Sequence, residues 1–264
     1  MVCLFSFLSA LPLVLILGYL LAKGVSALNW QFFCRMPQPL GEAGGGIANA
    51  LLGSALLLAV AFALAVPLGL SLGIYLAENK KSRLADCARL AVEILQGVPS
   101  IVVGLVIYTW LVLPLKTFSA LSGGAALALL MLPVIVRSTE ETLRLIPLEL
   151  KEAALALGVP YYRTILRVIV PSGLSGIVTG VLLSLARVAG ETAPLLFTAF
   201  GNPFLSWRLD RPIESVPHLI FYYATSPYAE WHRLAWGASF VLVLSVLCLN
   251  LAAKFLTRRW RVQF

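Results

Sequence analysis

Long apolar windows separated by short charged segments make up most of this chain. Crossing about 30 Å of hydrocarbon takes roughly 20 helical residues. Charge-poor windows of that order lie at 4–22, within 47–77, and at 94–115, 117–136, 172–200 and 234–253. They predict an all-α membrane protein with six transmembrane helices. Only Lys116 and a few polar residues divide the third window from the fourth, which fits a tight turn. Pro67, Gly69 and Gly73 make the second window a kinked packing helix. The glycine-rich run before it, GEAGGGIANA, predicts a flexible lead-in. The third window opens EILQGVPSIVVGL, and its Glu93 is expected at headgroup level beside Gln96 and Ser100.

One charged, amphipathic interruption, 137–171, stands out within this apolar pattern. Pro147 suits the first turn of a helix, where its missing N–H costs nothing. In the run PLELKEAALAL, Leu150, Ala153, Ala154 and Leu157 fall at i, i+3, i+4 and i+7 and are expected on one face. Gly158 is placed to close that helix in the left-handed conformation, and Pro160 to open the next. A second helix then carries Tyr161, Ile165 and Val168 on one stripe and ends at Pro171. The product is a helical hairpin whose alanines let another protein's surface approach the backbone closely.

Composition confirms the solvent. Of 264 residues, 60% are hydrophobic and 12% charged, with a mean hydropathy of +0.92; soluble domains average about 25% charged residues. The net charge of +8 is a matter of membrane topology, because the cations cluster between the windows. Lys80, Lys81, Arg83 and Arg89 follow the second window, Arg137 to Arg167 the fourth, and Lys254 to Arg261 the last. The opposite segments hold roughly half as many, so both termini and the hairpin are expected in the cytoplasm. The first window lacks a charged leader and a small-residue cleavage site, and is read as a retained span; its charge-free start leaves room for a longer N-terminus. Cys3, Cys34, Cys87 and Cys248 are scattered and suggest neither a disulfide framework nor a zinc site. The segment 201–233, rich in proline and aromatic residues, is expected to fold against the membrane surface. Its His218 and His232 are read as surface residues without carboxylate company.

The fifth window carries two charges, in SLARVAGETAPLLFTAF. Arg187 and Glu191 are four residues apart and would stack on one helix face. A helix starting near Ser172 puts Arg187 roughly 22 Å in, past the midplane. A charge there costs on the order of 2.5–3.5 kcal/mol and must face protein or water. Three roles fit. The pair neutralises itself, Arg187 anchors at the interface, or both line a route on which arginine offers its planar donors to an anion.

Two stretches bear a family resemblance. Glu152-Ala153-Ala154, three residues, Gly158, nine residues and Val168-Ile169-Val170-Pro171 resemble the EAA loop of importer-type ABC-transporter permeases. ARVAGETAPLLFTAF resembles the signature of the permease subunit of bacterial phosphate ABC importers, the PstA type, as do LQGVPSIVVGL, GIYLAE and LCLNLAAKFLTRRW. The likeness covers most of the chain from about Gly44 on, so residues 1–43 read as a first helix and loop ahead of a permease core at 44–264. The resemblance implies a type I ABC importer permease (MetI-like) architecture in the bacterial inner membrane. It implies ATPase coupling through Glu152, Ala153, Ala154, Gly158 and Pro171, and a substrate pathway including Arg187, Glu191 and Thr192. It further implies a second permease of the PstC type, two ATPase subunits that bind ATP and magnesium, and an external phosphate-binding protein. No cofactor or metal is expected on this chain, and no catalytic residue.

Other chemistries find little support. There is no G-x-x-x-x-G-K-S/T for ATP and no H-E-x-x-H for zinc. Gly173-Leu174-Ser175-Gly176 fits the pattern of an intramembrane serine protease, but the histidines are expected on the other side, so small-residue packing explains it better. A permease for another oxyanion, such as molybdate or sulfate, uses the same arginine chemistry. An ATPase-independent secondary transporter would predict two matching broken helices, and one is present.

Overall fold

The computed structural model describes residues 2–39, 42 and 44–258. Among them the helices are α1 (Val2–Gly24), α2 (Trp30–Cys34), α3 (Ala48–Glu78), α4 (Arg83–Gly97), α5 (Ser100–Ile107), α6 (Leu113–Leu115), α7 (Ala120–Arg144), α8 (Leu148–Ala156), α9 (Tyr161–Thr164), α10 (Val170–Ser172), α11 (Leu174–Val188), α12 (Ala193–Leu196), α13 (Val216–Ala224) and α14 (Ala229–Arg258). π turns at Tyr108–Val112 and Ile165–Ile169 join α5 to α6 and α9 to α10. Four helices, α1, α3, α7 and α14, are long and apolar enough to cross a membrane, and two bent pairs bring the number to six if each is one span.

α3 and α7 form the central pair. They approach closely because small residues of each face large ones of the other: a Cβ on Gly69 would lie 2.7 Å from Ile135, and one on Gly73 2.6 Å from Thr139. Leu57, Ala61 and Ala65 of α3 thereby pack with Leu127, Met131 and Ile135 of α7, and α11 and α12 add Val181, Val188 and Leu195. Pro67 leaves α3 continuous over 31 residues. At about 1.5 Å per residue α3 is about 46 Å long, more than the roughly 30 Å of hydrocarbon a span must cross.

Two expected spans are corrected. The window at 94–115 is broken at Val98–Pro99, where α4 and α5 meet at 106°. Val98 is extended (φ −71°, ψ 127°), as a residue ahead of proline tends to be. α4 therefore lies crosswise, with Leu84, Leu90 and Ile94 exposed and Ala85 and Val92 buried. The window at 172–200 bends by 68° at Gly173, and its helix stops at Val188 rather than running to Phe200. The fourth window is longer than expected, as α7 continues to Arg144. The turn before it is tight, with Lys116 left-handed at φ 52°.

Gly44 to Ile47 do not form a flexible lead-in. Their backbone is held against α2 by bonds from the N–H groups of Gly46, Ile47 and Ala48 to the carbonyls of Met36, Phe32 and Arg35; Gly41 and Ala43 lie outside the described residues. The aromatic segment does fold: Trp231 stacks on Tyr223 at 4.9 Å and meets Tyr228 edge-on at 5.3 Å. His218 is not a surface histidine, since its Nδ1 lies 2.6 Å from the Glu214 carboxylate and both side chains are largely buried.

A buried ion cluster ties α4 to the central pair. Glu140 of α7 is 1% exposed, and one of its oxygens accepts from Arg89 Nε at 2.7 Å and from Arg144 at 2.5 Å. Arg89 also donates to Asp86 and to the carbonyls of Leu76 and Asn79. Removing Glu140 leaves Arg89 its bonds to Asp86 and two carbonyls and leaves Arg144 in reach of water, so only part of the pairing is lost. Glu140→Ala is expected to destabilise the folded chain by about 1.5–3 kcal/mol, read as a lowered unfolding midpoint in detergent; an unshifted midpoint would show that the arginines' other partners and water compensate fully. Nearby, Glu93 pairs with Arg137 at 2.9 Å.

Candidate functional site: a capped hairpin and a broken helix

The hairpin begins where Pro147 (φ −56°, ψ 137°) precedes α8. Gly158 closes that helix at φ +77°. Its N–H donates to the Leu155 carbonyl at 2.9 Å, and the Val159 N–H to the Ala154 carbonyl at 3.2 Å. These two bonds are the Schellman pair, which satisfies carbonyls a helix end would leave open. Pro160 then caps α9. A Cβ on Gly158 would meet nothing within 4 Å, so only the backbone angle calls for glycine here.

The expected single face of α8 is split. Leu150 and Ala154 face inward, whereas Ala153 is exposed and Leu157, in the cap, is 84% exposed. Glu152 is exposed as well, and among the described residues it has no ion-pair partner. Leu148, Tyr162 and Leu166 extend this outward surface. The inner side is anchored: Ile165 and Ile169 pack with Ala77, Leu143 and Ile177. The second helix ends one residue beyond Pro171, at Ser172, and the chain bends by 68° at Gly173. The wider π turn ahead of Pro171, where the Val170 N–H reaches back to Ile165, accommodates the proline without a break.

Arg187 lies in the last turn of α11, and Gly190 and Glu191 follow outside the helix. The helical stacking expected of Arg187 and Glu191 therefore does not form, and among the described residues no ion pair or hydrogen bond joins them. Arg187 is exposed, while Glu191 and Thr192 are half-buried at the break. α12 resumes at Ala193 and is pressed onto α5, where a Cβ on Gly104 would stand 2.6 Å from Pro194 Cα. Among the described residues Arg187 thus stands exposed beside the break in the helix with no ion-pair or hydrogen-bond partner.

Sequence reasoning overlooked three carboxylates. Glu214 and Glu140 stand four residues before His218 and Arg144, a spacing visible in the sequence. Glu78, at the end of α3, meets Lys151 and Tyr161 of the hairpin across more than seventy positions, and no local pattern announces that contact.

Residues 69–262, from the second half of α3 through the hairpin and the broken helix, match the family described as binding-protein-dependent transport system inner membrane component. A phosphate transport system permease protein PstA of Yersinia pestis is 47% identical over 92% of this chain and 82% of its own length. One of Haemophilus influenzae is 43% identical over 90% and 85%. The chain belongs to the PstA family of permeases. Its fold is that of MetI-like importer permeases: a chain of the inward-facing MetNI methionine ABC transporter superposes with a TM-score of 0.69 at 18% identity, covering 82% of this permease and 96% of that chain. The permease is thus a multi-pass inner-membrane component of a transport system.

Proposed function

We infer that this permease is the transmembrane subunit of an ATP-driven phosphate importer, forming half of the translocation pathway and coupling to a separate ATPase through the hairpin. The observation that carries the coupling role is the two-sided construction of 147–172. One side is fastened to α3, α7 and α11, and the other presents Glu152, Ala153 and Leu157 uncovered around a stiff cap. Leu157 is exposed together with Leu148, Tyr162 and Leu166, and in the proposed assembly the ATPase covers this side. Lysine and arginine placement supports a cytoplasmic hairpin and cytoplasmic termini; Arg259 and Arg261, which belong to that count, lie outside the described residues.

The pathway role falls to Arg187, with Glu191 and Thr192 at the helix break. An arginine exposed on a membrane bundle without a counter-ion faces water or another protein subunit, not lipid. Phosphate as cargo follows from the GETAPLL signature and from the names of the relatives, since arginine binds other tetrahedral oxyanions similarly. The partners are a second permease of the PstC type, two ATPase subunits holding ATP and magnesium, and a phosphate-binding protein outside. This chain contributes no catalytic group, cofactor or metal of its own. ATP-driven closure of the ATPase pair moves the hairpins, and the two permease halves rock between inward and outward openings.

The test is uptake of labelled phosphate, with and without competing molybdate and sulfate, in cells expressing the complete transporter, before and after Glu152→Lys. Phosphate uptake lost in the variant supports both cargo and docking. Uptake that persists points to an ATPase-independent carrier, and uptake of another oxyanion in place of phosphate overturns the cargo.

A further inference from the structure

We propose that Glu78, Lys151 and Tyr161 form the joint through which the hairpin moves α3. The proposal rests on the hairpin's docking role and goes beyond it by naming where its displacement enters the membrane bundle. Glu78 is the last residue of α3. One of its oxygens, Oε2, accepts hydrogen bonds from both the Lys151 ammonium and the Tyr161 hydroxyl. Lys151 Nζ in turn stands 3.4 Å from the Tyr161 hydroxyl and 4.9 Å from the centre of its ring. A single carboxylate oxygen thus gathers α3, α8 and α9 at one point.

Three features make this a joint rather than an incidental surface pair. The Glu78 and Lys151 side chains are only 14% and 20% exposed, so water screens the contact far less than it would an exposed pair. Burial works against the Lys151 charge, but the hydrogen bond and charge of Glu78 more than offset it and hold its pKa above the usual value. Burial, then Glu78, likewise pushes the Tyr161 phenol up. Both shifts favour a charged lysine and a protonated tyrosine, the forms that donate to Glu78.

The third feature is the space beside it. A cleft of about 650 Å³ lies between the α3–α4 turn and the start of α8, bounded by Glu78, Asn79, Arg144, Leu148 and Lys151. On that side open space separates the start of α8 from the end of α3, whereas Leu150 farther along α8 packs into the apolar cluster around Ala77. Apolar contacts hold the base of the hairpin through Ala77, Leu143 and Ile169, but a displacement of α8 into the cleft reaches the end of α3 through this carboxylate. α3 is also half of the central pair, so a force applied at Glu78 is delivered directly to the bundle core.

The experiment uses the complete transporter in proteoliposomes and measures phosphate moved per ATP hydrolysed, together with ATPase retained on purification. Glu78→Gln keeps shape and removes charge; it is expected to retain the ATPase and lower phosphate moved per ATP by about tenfold. Tyr161→Phe, which deletes one donor, is expected to lower it about twofold to threefold. The exchange Glu78→Lys with Lys151→Glu is expected to recover most of the ratio, which a packing role alone would not produce. An unchanged ratio in Glu78→Gln with ATPase bound overturns the joint, and so does an exchange no better than either single variant. Glu152→Lys separates the two readings. If it releases the ATPase while Glu78→Gln transports normally, docking stands and the joint falls. If the ATPase stays bound and uptake continues in Glu152→Lys, docking itself falls.

Discussion

Phosphate uptake is expected to fall by roughly 10- to 100-fold when Arg187 is replaced by glutamine, with the permease still inserted and still assembled with its ATPase. That range corresponds to losing charge-assisted hydrogen bonds worth about 1.5–3 kcal/mol. Arg187 pairs with no carboxylate among the described residues, so its removal strands no partner inside the protein and assembly survives. Arg187→Lys separates the remaining roles. A topological anchor needs only a positive charge and a flexible stem, which lysine supplies. A donor that grips an oxyanion needs the planar fork, which lysine lacks. Uptake by the lysine variant is expected to lie between wild type and glutamine. Wild-type uptake by the glutamine variant would make Arg187 a dispensable charge.

Gly158→Val is expected to abolish coupled uptake while leaving membrane insertion intact. The space around Gly158 is open, and a Cβ there would meet nothing within 4 Å in this chain. The cost is local, because φ +77° is a conformation that β-branched residues all but refuse. Leaving it costs the Schellman bonds from Gly158 and Val159, and the outward surface around Glu152 and Leu157 loses its fixed shape. Gly158→Asn, which tolerates the left-handed region, is expected to keep most of the uptake. Measuring uptake and ATPase activity in both variants checks the corner itself. Equal loss in both would show that the position is sensitive to bulk at the partner's surface rather than to backbone angle.

The hairpin corner was legible because its determinants are local. Gly158 and Pro160 each act within a few residues, and the structure places the left-handed residue and the second helix start where they indicate. Hydropathy located the apolar windows but not their breaks. Val98–Pro99 lies inside an apolar run that looks continuous, and its effect on geometry shows only in the 106° bend. Pro171 marked the end of the second helix to within a residue, but the π turn upstream of it carries no residue pattern that distinguishes it from ordinary helix. The spacing of Arg187 and Glu191 promised a stacked pair only for as long as the helix lasted, and it ends between them. Pairings such as Arg89 with Glu140, fifty-one positions apart, follow from how the helices pack and have no local signature.

The length of α3 carries a mechanical consequence. At its other end, the Ser54 hydroxyl accepts from the Val216 N–H at 2.8 Å, and Asn49 donates to the Asn202 carbonyl at 2.8 Å. If a helix about 46 Å long turns as one body by about 10° about its midpoint, its two ends move about 4 Å in opposite directions. The segment holding Asn202 and Val216 rides one end of this seesaw, and the hairpin rides the other. In the proposed mechanism, a push at the hairpin would then reach the Asn202–Val216 segment as a displacement in the opposite direction.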